Sequence, residues 1–245
     1  MRNQITSEAR KLLTTRSVWG LLAGTVLISG LAAWAIAANL NLAGPVGLAG
    51  LPGFQEMMGL VPALVLVLGI RSYTDEARHG SIVPTLLSSP VRRRIVGAKV
   101  VVVGIAAAAF AVAGAASVIA VSSLVLSIDG VALTVGSIGA FVALMAKVVG
   151  VCLLWSTIGL GVGLAISHQV AAIVGSLVWL YAIETLLDGL APNLGRLLPG
   201  HAAMSALGIV PGDTLAPLDG AMLLVGWAAV CLTVGVSIFQ RRDIA

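Results

Sequence analysis

The side chains that could carry chemistry are few. Among 245 residues there are ten aspartates and glutamates, three histidines and two cysteines. No two of the histidines, His79, His168 and His201, have the spacing of a zinc-protease pair. Cys152 and Cys231 both lie inside apolar runs, where the expected role is that of a small buried hydrophobe. These residues therefore predict neither a metal site nor a disulfide.

Motifs for nucleotide binding or nucleophilic catalysis are also missing. The sequence contains no GxxxxGK[ST] phosphate loop, so any ATP that powers this protein must be bound by another chain. The run "VGSIGA", residues 135–140, is a poor nucleophile elbow, because Val135 stands where glycine is required. We expect no catalytic residue, no cofactor-binding residue and no metal ligand in this chain.

The composition explains this scarcity. Apolar residues make up 59% of the chain and charged residues 10%, and the mean hydropathy is +1.07. Soluble domains carry about 25% charged residues, so a chain this apolar cannot hide its surface in one water-soluble core. We predict an all-α integral membrane protein with one domain, residues 1–245. The pI near 9.6 then indicates membrane lipid headgroups, and not nucleic acid, as the acidic partner.

Six apolar runs predict membrane spans, each of which needs about 20 mostly apolar residues. They cover residues 18–38, 54–70, 100–128, 131–166, 170–187 and 221–239. Lysine and arginine accumulate on the cytoplasmic side of such proteins. With both termini inside, four basic residues precede the first span, six lie between the second and third, and two follow the last. Twelve of the fourteen are then cytoplasmic, which predicts a plasma-membrane protein with cytoplasmic termini.

Three charged residues, Glu56, Lys147 and Glu184, interrupt the predicted spans. A charge inside a membrane is costly and normally has a partner. Counting about 1.5 Å per residue from the inner ends of the spans places all three in the outer part of the bilayer. We expect Lys147 to pair with Glu184 or Glu56, either fixing the helix register or lining a pathway.

The segment before the first span, residues 1–17, has apolar side chains at i, i+4, i+7 and i+8, counted from Ile5. Arg10, Lys11 and Arg16 lie beside this stripe. The pattern predicts a helix in the inner membrane interface. The alternative is a basic flank that only sets the topology.

The long cytoplasmic loop, residues 71–99, is predicted to contain two short helices. Thr74 can cap the first, because Asp75 and Glu76 then lie in its first turn, where negative charge suits the helix dipole. Gly80 would end that helix, and prolines would begin and end the second. A solvated loop without a partner is the alternative.

Two further segments predict packing. Residues 188–220 contain four prolines and predict one or two short, half-buried helices at the outer surface, forming a re-entrant segment that either covers an exit or only packs. The run "GLGVG", residues 159–163, predicts close helix contact, and "GLLAG", residues 20–24, is a GxxxG match that pairs helices in some proteins.

Taken in order, these segments resemble the permease subunits of type-2 ABC exporters over essentially the whole chain. "EARKLLTTRS", residues 8–17, is similar to the amino-terminal elbow helix of that family, with Glu8, Lys11 and Arg16 matching. "YTDEARHGSIVPTLLSSPVRRRIVGAK", residues 73–99, is similar to its coupling segment. The matching positions there are Glu76, Arg78, Gly80, Leu86, Leu87, Pro90, Arg93 and Lys99.

The resemblance implies a half-transporter that moves an amphipathic small molecule, drug or lipid out of the cell. Two copies of an ABC ATPase subunit, which hold ATP and Mg²⁺, would dock on the cytoplasmic side. A second permease copy or a sister permease would complete the pathway. The residues expected to contact the ATPase are Asp75, Glu76, Arg78, Gly80, Leu86 and Leu87. Lys147 departs from the family pattern.

Two other functions stay open. One is an intramembrane enzyme that uses Glu56, Lys147 and Glu184, although these residues lack a catalytic spacing. The other is a membrane anchor or immunity protein that binds a partner and transports nothing. An ATPase that co-purifies with the chain would separate both from the exporter.

Overall fold

The computed structural model of the chain describes residues 2–39, 46–47, 54–78, 92–131, 133–134, 138–208 and 215–241. Within them the chain forms ten α-helices, which are α1 (Arg2–Thr14), α2 (Arg16–Ala37), α3 (Phe54–Arg78), α4 (Arg92–Ile128), α5 (Ile138–Ala165), α6 (Gln169–Val178), α7 (Glu184–Leu190), α8 (Pro192–Gly195), α9 (Pro199–Leu207) and α10 (Pro217–Arg241). A π-helical turn, Trp179–Ile183, joins α6 to α7. Two short strands, Val46–Gly47 and Leu133–Thr134, pair in parallel.

Among the described residues, five helical segments are long and apolar enough to cross a membrane. They are Arg16–Ala37, Arg93–Ile128, Ile138–Ala165, Gln169–Leu190 and Pro217–Arg241. Each needs no polar partner for its backbone, because a helix satisfies its own N–H and C=O groups. The predicted all-α membrane architecture is confirmed at this level, and the chain is a multi-pass membrane protein. The predicted second span, residues 54–70, lies within α3, which is not among the five.

The prediction of a helix that begins at Thr74 is wrong. α3 continues without a break to Arg78, so Thr74, Asp75 and Glu76 lie in its last two turns. Thr74 is buried and its hydroxyl donates to the carbonyl of Ile70 at 3.0 Å, as in a helix interior. The cap pattern is local, whereas burial of this end of α3 is a tertiary effect that overrides it. The second predicted short helix, residues 84–89, lies outside the described residues.

The helices run back and forth between two ends of one bundle. At one end Tyr73 of α3 packs edge-on against Phe239 of α10, with ring centroids 5.4 Å apart. Val96 of α4 and Leu164 of α5 belong to the same buried cluster. These residues lie in the predicted cytoplasmic halves of their helices, so one end of each of these helices meets the others here. We call this the junction end.

α5 lies at the centre of the bundle and packs closely against α3 and α10. A Cβ atom added to Gly159 would overlap the backbone of Leu66, and one added to Gly163 would contact the backbone of Ile70. Across α5 and α10, a Cβ added to Gly161 would overlap the backbone of Cys231, and one added to Gly235 would overlap the backbone of Gly161. The close helix contact predicted for residues 159–163 is confirmed. The Gly20 and Gly24 positions are open to the outside.

The predicted segment 188–220 contains two short helices, α8 and α9, among its described residues. Proline occupies the first turn of each, where its missing N–H costs nothing. α9 ends at Gly208, whose φ of 70° is the left-handed conformation that glycine adopts freely. Ala202 and Ala206 are buried, and α9 packs against α10 and α5. The prediction of short helices in this segment is confirmed, whereas their place at the outer surface as a re-entrant segment stays a prediction.

Candidate functional site: a charged junction of three helices

Four charged side chains from three helices meet at the junction end of the bundle. Lys99 of α4 lies 2.6 Å from the Glu8 carboxylate of α1 and 3.0 Å from the Glu76 carboxylate of α3. Lys11 of α1 lies 2.8 Å from Glu8 and 3.0 Å from Glu76. Each lysine therefore bridges both carboxylates. We call these four residues the charged junction.

The junction is built around Lys99, whose side chain is only 3% exposed. An ammonium group has three donors, and Lys99 directs them to Glu8, Glu76 and the backbone carbonyl of Ser72, the last at 2.9 Å. Lys99 lies about two turns inside α4, so its side chain reaches back beside α3 to α1. A buried charge is stable only when it is fully paired in this way.

The electrostatics of α1 follow from these contacts. Burial by itself would raise the pKa of Glu8, but the positive charge of Lys99 and hydrogen bonds from Lys11 and Lys99 outweigh it and hold the pKa below its ordinary value of 4.5. Burial would lower the pKa of Lys11, but hydrogen bonds to Glu8 and Glu76 and their charges hold it above 10.5. Both groups are charged at neutral pH, so the junction is an ion-pair network.

A second polar network continues the junction toward α6. The guanidinium of Arg71 donates to Asp75 one turn along α3, at 3.0 and 3.2 Å. Gln169, the first residue of α6, donates to Asp75 at 2.7 Å and accepts from Arg78 at 3.4 Å. The end of α3 is thereby held to the start of α6 as well as to α1 and α4.

A cleft of about 490 Å³ lies beside the junction. Its polar wall includes Lys11, Arg71 and Asp75, and its apolar wall includes Leu21 and Val102. Among the described residues, no group of three or more histidine, cysteine, aspartate or glutamate side chains is placed to hold a metal ion. The arrangement holds three helices together.

The structure brings together only part of the predicted coupling set. Glu76 is buried within the charged junction, and Asp75 is bonded within the chain to Arg71 and Gln169. Arg78 is exposed at the end of α3. Of the predicted elbow residues, Glu8 and Lys11 belong to the junction, and Arg16 is exposed at the start of α2. Gly80, Leu86 and Leu87 lie outside the described residues.

Sequence reasoning missed the role of Lys99 and of Gln169. Lys99 matched the family pattern, but we expected it to lie at the end of a loop. The available signal was its position next to a long uncharged run, since a charge so close to a span needs a partner as much as Lys147 does. No comparable signal identified Gln169, whose contacts with Asp75 and Arg78 span more than ninety residues of chain.

The predicted pairing of Lys147 with Glu184 is wrong. Glu184 accepts a hydrogen bond from the backbone N–H of Gly200 at 2.9 Å, at the start of α9. Lys147 is exposed, and its ammonium lies 3.9 Å from where a Cβ on Gly208 would be, at the other end of α9. A helix carries positive charge at its amino end and negative charge at its carboxyl end. The two residues therefore complement opposite ends of one helix. The alternative partner of Lys147, the Glu56 side chain, is outside the described part.

A comparison with protein-family models finds no match to this chain, and a comparison with curated proteins finds none either.

Proposed function

We propose that the chain is the membrane-spanning subunit of an ATP-driven exporter that is powered by a separate ABC ATPase. The observation that carries this proposal is the charged junction. It ties an amino-terminal interfacial helix to the two helices that flank the loop after α3. An exporter needs such a connection, because force applied to that loop must reach the membrane helices.

The proposed topology has six membrane crossings, with both termini in the cytoplasm of a cell bounded by its plasma membrane. α3 is the additional crossing. It runs from the Pro62 region, next to Glu184, to Arg71 and Asp75 at the junction end, and it packs along α5 for much of its length. Its overall apolarity is low because its last turns carry four charged residues, Arg71, Asp75, Glu76 and Arg78. α8 and α9 then form the outer re-entrant segment.

The proposed mechanism is alternating access driven through the junction. An ATPase that closes on ATP would displace the loop after α3, and the buried ion pairs would move α1 and α4 with it. Glu76 is buried and Asp75 is half-buried, whereas Arg78 is exposed apart from its 3.4 Å contact with Gln169. Arg78 is therefore the described coupling residue best placed to contact the ATPase. A second permease copy would complete the pathway for an amphipathic small molecule, drug or lipid.

The proposal is tested by purifying the affinity-tagged chain from its native membranes in mild detergent. We expect an ATPase with its own phosphate loop to co-purify in near-equal amount. Arg78→Ala should reduce that recovery several-fold, while Arg94→Ala, an exposed arginine at the same end of the bundle, should not. Recovery of the intact membrane protein without any ATPase would contradict the proposal.

A further inference from the structure

A second cleft, of about 310 Å³, lies at the end of the bundle opposite the junction. Its walls come from α3, α5, the π-helical turn, α7 and α9. Small-molecule sites measure about 300–1,000 Å³, so the cleft suits a small ligand and is too small for a peptide. We call it the Glu184 cleft.

Two buried polar atoms of this cleft lack a hydrogen-bond partner within the described residues. One is Oε1 of Glu184, a residue that is 5% exposed; the other carboxylate oxygen accepts from Gly200. The second is Nε1 of Trp155, a residue that is 3% exposed. A buried donor or acceptor without a partner is costly. Both residues line the cleft, so a molecule bound there can supply the partners that these two atoms lack.

The charge of the lining selects a cation. Asp188 lies one helical turn beyond Glu184, so both carboxylates face the same side of α7 and both line the cleft. His201 lies 3.6 Å from Asp188 near the more exposed part of the lining. Lysine and arginine are absent from the described residues around the cleft. Lys147, the nearest intramembrane cation along α5, lies at the other end of α9.

The remaining lining is mostly apolar and aromatic, with one further hydroxyl group, that of Thr185. Tyr181, Leu180, Pro62 and Met204 surround the two carboxylates, and the Trp179 side chain also approaches Glu184. Aromatic faces attract organic cations as well as apolar groups. The ligand should therefore have an apolar body and a cationic group.

We propose that the Glu184 cleft binds the ammonium group of a small amphipathic amine, with Glu184 and Asp188 as counter-charges and Trp155 donating to an oxygen of the ligand. An amino alcohol with an apolar substituent has this chemistry, and so does the ethanolamine headgroup of a phospholipid. Ligand binding at this site requires no ATPase, so the site can be tested independently of the proposed transport function.

The test measures equilibrium binding of radiolabelled 2-amino-1-phenylethanol to the full chain in phosphatidylcholine vesicles. The matched ligands are 2-phenylethylamine, which lacks the hydroxyl, and 1-phenyl-1,2-ethanediol, which lacks the charge. We expect the amino alcohol to bind at least tenfold more tightly than the diol and several-fold more tightly than the amine. No binding of the amino alcohol, or equal binding of the diol, would overturn the proposal without any variant being made.

Variants then test the two proposed ligand contacts, which are the charge of Glu184 and the hydrogen bond from Trp155. Glu184→Gln keeps an acceptor for Gly200 but removes the charge, and it should weaken amino alcohol binding at least tenfold. Asp219→Asn, an exposed carboxylate at the start of α10, should leave it unchanged. Trp155→Phe should abolish the advantage of the amino alcohol over the amine, whereas Trp19→Phe, an exposed indole, should preserve it. Unchanged binding in folded Glu184→Gln would contradict the site.

The source of the ligand is decided by repeating the measurement with phosphatidylethanolamine in the vesicles. Loss of amino alcohol binding would support the site with a lipid headgroup as its occupant. Undiminished binding would support the site with a free amine as its occupant.

Discussion

The ammonium of Lys99 lies 2.6 Å from the carboxylate of Glu8, although 91 residues separate them in the chain. This contact, together with those of Lys11 and Glu76, joins the amino-terminal helix to the end of α3 and the start of α4. Because Lys99 is almost completely buried, the ion pair is not a surface salt bridge of small value. These ion pairs hold the three segments together as one unit, so that a displacement of one should move the others.

Replacing Lys99 tests this unit. Lys99→Met should lower the free energy of unfolding by about 3 kcal/mol or more, because it leaves the carboxylates of Glu8 and Glu76 buried without their central cation. Lys11→Met should cost less, about 1 kcal/mol, because Lys11 is 40% exposed and water can replace it. Equilibrium unfolding in detergent micelles measures both. Equal losses for the two variants would mean that Lys99 is not the centre of the network.

The network should also give stability a defined pH window. The pKa of Glu8 is lowered from 4.5, so its contribution is present above pH 4.5 and is lost as the pH falls through the folded-state value. The pKa of Lys11 is raised from 10.5, so its contribution is present below pH 10.5 and is lost as the pH rises further. The free energy of unfolding, measured as a function of pH, should fall at both the acid and the alkaline end of this window.

The variant that tests the loss of stability at low pH is Glu8→Gln. The difference in stability between the natural chain and this variant should shrink as the pH falls below 4.5. A difference that stays constant across that range would show that ionised Glu8 is not the stabilising form.

Lys147 and Glu184 should not rescue each other. Reversing either charge places the wrong sign at one end of α9, and reversing both places the wrong sign at both ends. We therefore expect the stability losses of Lys147→Glu and Glu184→Lys to add in the double variant. Thermal unfolding of the three variants measures this. Restoration of the natural stability in the double variant would indicate a direct ion pair between Lys147 and Glu184.

The glycines of α5 should be sensitive to a single added methyl group. Gly159→Ala places a Cβ against the backbone of Leu66, which cannot move as a side chain could, and should cost about 1–3 kcal/mol of stability. Gly20→Ala is the matched control, since nothing described lies within 4 Å of its added Cβ. There alanine should be neutral or slightly stabilising, because it favours the helix. Similar effects at both positions would contradict the close packing of α3 on α5.

The helices could be predicted from the sequence because long apolar runs specify them locally. Their ends were harder to predict. Thr74, Asp75 and Glu76 have the pattern of a helix start, yet the buried environment of Tyr73 and Thr74 continues α3 through them. The partners of Glu8, Lys99 and Glu184 depend on contacts between distant segments, and charge alone does not choose among them. Glu184 accepts a hydrogen bond from a backbone N–H, and no pattern of charged residues predicts such a partner.

The central proposal is that an ATPase contacts the chain between α3 and α4. A photo-crosslinking amino acid placed at Arg78, which is exposed at the junction end, tests this claim in native membranes. The matched control position is Leu218, which is 71% exposed and lies at the end of α10 that is farther from the junction end. We predict a crosslinked product that contains an ATPase with a phosphate loop from position 78 and none from position 218. The absence of an ATPase product from position 78, or equal products from both positions, would contradict the account.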